Sequence, residues 1–123
     1  MTQPLALVFY ERLMPGSQLV NRLQDMKYRV LTVNNVALLV PTAARELPMF
    51  LIVDLEARGE VTETIEKIKA NPATSHLPII AFAPDNKADL FDAAQKAGAS
   101  LIIGETALAS HLPQLLDQAM HVE

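Results

Sequence analysis

The chain has 123 residues and a mass of 13.5 kDa, half of its residues are hydrophobic, and it carries no cysteine and a formal net charge of -4. That length supports one ordinary hydrophobic core and not two, so residues 1–123 read as a single domain. The lack of cysteine excludes a disulfide framework, a thiolate metal site and a cysteine nucleophile, and a pI near 5.3 leaves no basic footprint for nucleic acid.

Residues 1–7 lack the basic n-region of a signal peptide, and the apolar runs at 49–53 and 101–103 are far below membrane-spanning length. A soluble cytoplasmic domain is expected, with neither nucleic acid nor membrane as partner. A first apolar run at 5–10 reads as a strand. A helix opening near 15–17 follows, with Leu19, Val20, Leu23 and Met26 on one stripe. A second strand falls at 29–33. The helix expected within 36–47 contains Pro41, so it either starts there or is kinked.

A third strand covers 49–53 and a helix covers 62–70, with Ile65 and Ile68 on its apolar side and Asn71-Pro72 ending it. A fourth strand at 79–83 leads to a helix at 89–97, closed by Gly98 as a left-handed C′ residue. A fifth strand at 101–103 precedes a last helix with Ser110 as its N-cap, Pro113 in its first turn and Leu112, Leu115, Leu116 and Ala119 as its stripe. Strands that read as unbroken apolar runs, alternating with helices, indicate a parallel sheet covered on both faces. The fold class is α/β: a doubly wound (βα)5 three-layer sandwich of the flavodoxin-like kind, with strand order 2-1-3-4-5. Function then belongs at the carboxyl ends of the strands, at Tyr10 and Glu11, Asn34 and Asn35, Asp54, Ala83 and Pro84, and Gly104 and Glu105.

The run Phe50-Leu51-Ile52-Val53-Asp54-Leu55, with the later Lys67-Ile68-Lys69-Ala70-Asn71-Pro72-Ala73-Thr74-Ser75-His76-Leu77-Pro78-Ile79-Ile80-Ala81, resembles the third to fourth strands of bacterial response-regulator receiver domains. The Ala97-Gly98-Ala99 turn is similar to the end of that family's fourth helix, and the likeness spans nearly the whole chain. It implies a phosphorylation switch. A carboxylate after the third strand accepts a phosphoryl group, two acids after the first strand help hold Mg²⁺, and a hydroxyl after the fourth strand and a lysine after the fifth bind the phosphoryl oxygens. Such chemistry rests on positioning and charge neutralisation.

By that resemblance Asp54 is the phosphoacceptor-like residue, but the rest of the set is depleted. Residues 1–10 contain no Asp or Glu, so Glu11 alone supplies the acidic pocket and Tyr10 takes its partner's place. Residues 79–84 contain no Ser or Thr, which puts Ala83 where the switch hydroxyl belongs. No Lys or Arg follows Lys96, so the lysine position falls on Glu105 or Gly104. No aromatic residue follows Phe91, and the fifth-strand aromatic is replaced by an aliphatic such as Ile102. The loop 55–60 lacks the family's proline and is about one residue shorter than its pattern. The chain reads as a degenerate, pseudo-receiver member.

Asp54 is either a functional carboxylate, binding Mg²⁺ weakly with Glu11, or a strand-end residue satisfied by backbone N–H groups or by Arg58. Glu11 is otherwise a solvated charge beside Arg12, and Tyr10 can fill the emptied pocket with its ring. Met14-Pro15-Gly16-Ser17 lacks the spacing of a phosphate-binding loop and reads as a turn. His76, His111 and His121 show no paired metal spacing, and no motif places a Ser, His and Asp set, so no enzyme activity, cofactor or small-molecule substrate is expected. The stretch after Lys96 is largely apolar and free of Lys and Arg. Phe91, Ile103, Leu108, Leu112, Leu115 and Leu116 are therefore candidates for a partner or dimer interface. The leading expectation is a phosphorylation-independent protein-interaction or dimerisation module, a homodimer or complex subunit; the alternative is an atypical receiver phosphorylated on Asp54 by a sensor histidine kinase.

Overall fold

A computed structural model describes residues 4–10, 13–56 and 60–120. Five parallel strands, β1 (Leu5–Phe9), β2 (Arg29–Val33), β3 (Phe50–Asp54), β4 (Ile79–Ala83) and β5 (Leu101–Gly104), form one sheet in the order 2-1-3-4-5. Helices α1 (Leu13–Asp25), α2 (Leu39–Glu46), α3 (Val61–Ala70), α4 (Ala88–Ala97), α5 (Glu105–Ser110) and α6 (Leu112–Met120) alternate with them. All ten residues of β3 and β4 are buried, as expected for central strands covered on both faces.

Strand periodicity sorts the core into two layers. Leu7, Phe9, Leu51, Val53, Ile79 and Ala81 face Leu39 and Ala43 of α2, Ile65 and Ile68 of α3, and Ala94 and Ala97 of α4. Ala6, Val8, Phe50, Ile52, Ile80 and Phe82 face Leu19 and Leu23 of α1, Leu108 of α5, and Leu112, Leu116 and Ala119 of α6. No helix of the described residues is long and apolar enough to cross a membrane.

Three boundaries differ from the sequence expectation. The first helix is already under way at Leu13, because Pro15 sits in the first turn, where its missing N–H has no intrahelical acceptor to lose. Met14 to Ser17 are thus helical and not a turn. A short 3₁₀ segment, Val36–Leu38, capped by Asn35 Oδ1 accepting from Ala37 N at 3.0 Å, leads into α2. Pro41 is therefore the third residue of that helix and leaves it unbroken. Ser110 is the last residue of α5 and not the N-cap of the final helix; the break falls at His111, whose φ of -128° is not helical.

The segment most like receiver domains organises the amino end of β4. Thr74 is fully buried and its Oγ1 donates to Ile68 O at 2.7 Å, tying off the C-terminus of α3. Asn71 Oδ1 accepts from Ala73 N at 3.0 Å, and Asn71, preceding Pro72, is extended with ψ 121°. Lys69 Nζ reaches back to Leu77 O at 2.9 Å and Ser75 O at 3.3 Å, and burial holds this ammonium below its ordinary value. Gly98 closes α4 in the left-handed region at φ 106°, with Ala99 N donating to Ala94 O as expected for this glycine-terminated end.

Candidate functional site at the strand ends

The strand register fixes what meets at the carboxyl edge. Phe9 lies opposite Val53, Asp54 opposite Phe82, and Ala83 opposite Gly104. Asp54 is fully buried at the end of β3, and its Oδ1 accepts from Glu56 N at 3.0 Å. This local turn follows from an aspartate whose side chain reaches a backbone N–H two residues on. Backbone satisfaction is thus observed, while Arg58 and Glu11 lie outside the described residues.

Tyr10 follows β1 half-buried, packing against the cluster beneath α1, α5 and α6. Ala83 is fully buried and offers no hydroxyl at the end of β4. Of the two candidates for the lysine position, Gly104 ends β5, whereas Glu105 begins α5. A carboxylate at a helix start is favoured by the exposed N–H groups there.

Two residues that sequence reasoning did not single out complete the edge. Asp85, in the turn after β4, lies over Gly104 so closely that a β-carbon at residue 104 would fall on its Oδ1 and 2.8 Å from its Cγ. That Oδ1 also accepts from Thr106 N at 3.4 Å in the first turn of α5. Lys87 turns the other way and pairs with Glu56 at 3.5 Å. Both contacts depend on loops meeting in space; the one sequence trace of the Asp85 contact is the glycine that makes room for it.

Mg²⁺ asks for near-octahedral oxygen coordination and is held by carboxylates together with waters or phosphates. Among the described residues this edge supplies Asp54, an acceptor for Glu56 N, Glu56, paired with Lys87, Asp85, an acceptor for Thr106 N, and Glu105 at the start of α5. Among the described residues no group of three or more His, Asp or Glu comes together as a metal set. Glu11, the second acid that the resemblance assigns to Mg²⁺, lies outside the described residues.

Beside this edge, α4, β5 and α5 border an open groove of about 450 Å³, lined by Asp85, Phe91, Gly104, Thr106, Ala107, Ser110 and His111. The interface candidates divide here. Leu108, Leu112 and Leu116 are 3%, 0% and 1% exposed, so they belong to the core under the sheet and are removed from any exposed face. Phe91, Ile103 and Leu115 are half-buried, with Phe91 on α4 packing against the core layer on its own side of the sheet and Ile103 against the opposite layer. Among the described residues the exposed large apolar side chains lie elsewhere, at Leu38, Leu47 and Met49. His76 and His111 are exposed, and His121 is outside the described residues.

No protein-family model and no curated protein matches the chain. Solved structures do match it in fold. A putative response regulator from Chloroflexus aurantiacus superposes with a TM-score of 0.90 at 17% identity, covering 98% of this chain and 100% of that one. The chemotaxis response regulator CheY4 of Vibrio cholerae gives 0.84 at 15% identity, covering 96% and 99%. The signal receiver domain of a modulated diguanylate cyclase from Desulfovibrio desulfuricans gives 0.81 at 23% identity, covering 97% and 94%. The five-stranded sheet in the order 2-1-3-4-5, with helices on both faces, is the fold of response-regulator receiver domains.

Proposed function

We propose that this receiver-fold chain is a cytoplasmic signalling pseudo-receiver, a protein-interaction or dimerisation module that works without aspartyl phosphate and without catalysis of its own. The observation that carries the reading is the Asp85 carboxylate over Gly104 at the end of β5. A phosphoryl group on Asp54 needs positive charge and hydrogen-bond donors at this edge. Here a negative charge stands at the end of β5 and a methyl group, Ala83, at the end of β4. Like charges at one end of the sheet repel, so this carboxylate opposes a phosphoryl group there. Signalling is then set by which protein the domain contacts, through the face bordered by α4, β5 and α5, where Phe91 and Ile103 are half-buried.

Intact-mass measurement after incubation with acetyl phosphate or a sensor histidine kinase tests this reading. No added phosphate is expected. A single phosphate that disappears in Asp54→Asn overturns it in favour of the atypical receiver, for which the burial of Asp54 at the end of β3 is the supporting observation. Light scattering separates the two forms of the module: a dimer mass supports self-association, and a monomer mass assigns the face to a different protein.

A further inference from the structure

We infer that the groove between α4 and α5 is an arginine-accepting pocket, and that the partner of the module is a protein segment presenting a guanidinium to Asp85 and Phe91. This rests on the interaction-module reading above and names the chemistry of what docks. The groove of about 450 Å³ lies within the size range of ligand-binding clefts and is open on one side, suiting a side chain that enters from another protein.

Its lining combines one carboxylate, Asp85, one aromatic ring, Phe91, the hydroxyls of Thr106 and Ser110, and the small Gly104 and Ala107. A planar guanidinium can pair with a carboxylate, stack on a ring and donate to hydroxyls at once, which an ammonium does less well. Charge is arranged for it. The lining holds no Lys or Arg, and none follows Lys96 in the chain. The nearest cation in sequence, Lys87, is directed to Glu56 at 3.5 Å and so does not neutralise Asp85.

The carboxylate also has an anchoring contact. Thr106 N donates to Asp85 Oδ1 at 3.4 Å, and the missing side chain at Gly104 leaves it room to lie along the groove wall. An acceptor fixed before binding loses less freedom on docking. His111 stands at the rim and is exposed.

Amide NMR titration of the whole chain with a short amidated peptide bearing one arginine, and with the same peptide bearing citrulline, tests the inference. Saturable shifts at Asp85, Phe91, Gly104, Thr106 and Ser110 with the arginine peptide alone support it. Asp85→Asn, which keeps an oxygen for Thr106 N and removes the charge, is expected to abolish them. Phe91→Leu should weaken binding by about threefold, the scale of an exposed cation–π contact. Equal response to citrulline, shifts spread over every surface carboxylate, or no shifts in a well-dispersed spectrum overturn the inference. Beryllofluoride added to the same sample reports on the parent reading through different amides: a response centred on Asp54 overturns the module, whereas silence there with no arginine response overturns only the groove.

Discussion

Asp85 and Gly104 are complementary: the carboxylate of one occupies the space that any side chain on the other would need, and it accepts from Thr106 N while doing so. Gly104→Ala must swing the carboxylate away, with a cost of about 1 kcal/mol for the lost backbone hydrogen bond. In an Asp85→Ala background the same change should cost little. Urea unfolding of the four proteins closes the cycle, and a coupling below experimental error would contradict the contact. For the same reason Gly104→Lys alone should not create a phosphoryl site, since the lysine enters beside Asp85 and Ala83 still lacks a hydroxyl.

The leucines of the last third separate core from surface. Leu116 is 1% exposed beneath the sheet, so Leu116→Ala should destabilise by about 2–5 kcal/mol. Leu115, half-buried on the same helix, should cost less than about 1.5 kcal/mol. Denaturation midpoints compare them, and equal losses would contradict the assignment of faces.

Thr74 tests the resemblance segment as a structural device. Thr74→Val keeps the shape and removes the hydroxyl that donates to Ile68 O at 2.7 Å. An expected loss of about 1–2 kcal/mol, the cost of stranding a buried acceptor, is measurable by urea unfolding. No loss would mean that the α3 terminus does not depend on this bond.

Tyr28 carries an alkaline dependence. Its ring meets Phe50 edge to face at 5.2 Å, and burial raises its phenol above the ordinary 10.0. A folded value above the unfolded one gives stability that is full below pH 10.0 and is lost as pH climbs through the folded value. Lys69 acts in the opposite sense, because its folded value lies below 10.5 and stability rises with pH between the two. The difference between the native chain and Tyr28→Phe isolates the phenol. That difference should shrink above pH 10, and a flat one would contradict the burial effect.

The fold was largely legible because its signals are local. The apolar runs that became β3 and β4, Gly98 after α4 and Asn71-Pro72 after α3 each act through neighbours in sequence. Helix starts were less so: the sequence places the opening of the first helix near 15–17 and Pro41 reads as a start or kink, yet both prolines fall in first turns, where a missing N–H costs nothing. The missing hydroxyl and lysine at the strand ends could be read from Ala83 and from the cation-free stretch after Lys96. What replaces them could not. Asp85 reaches Thr106 across 21 residues, and Lys87 reaches Glu56 across two loops; only the folded sheet brings those ends together. Likewise, Leu108, Leu112 and Leu116 have the composition of an interface and the positions of a core.

The central claim is that the strand-end edge no longer accepts a phosphoryl group, and amide NMR with millimolar Mg²⁺ followed by beryllofluoride tests it most directly. The account predicts a well-dispersed spectrum in which the amides of Asp54, Glu56, Ala83, Asp85 and Gly104 do not move. Saturable shifts at those amides, spreading along β5, would contradict it and restore a working phosphorylation switch.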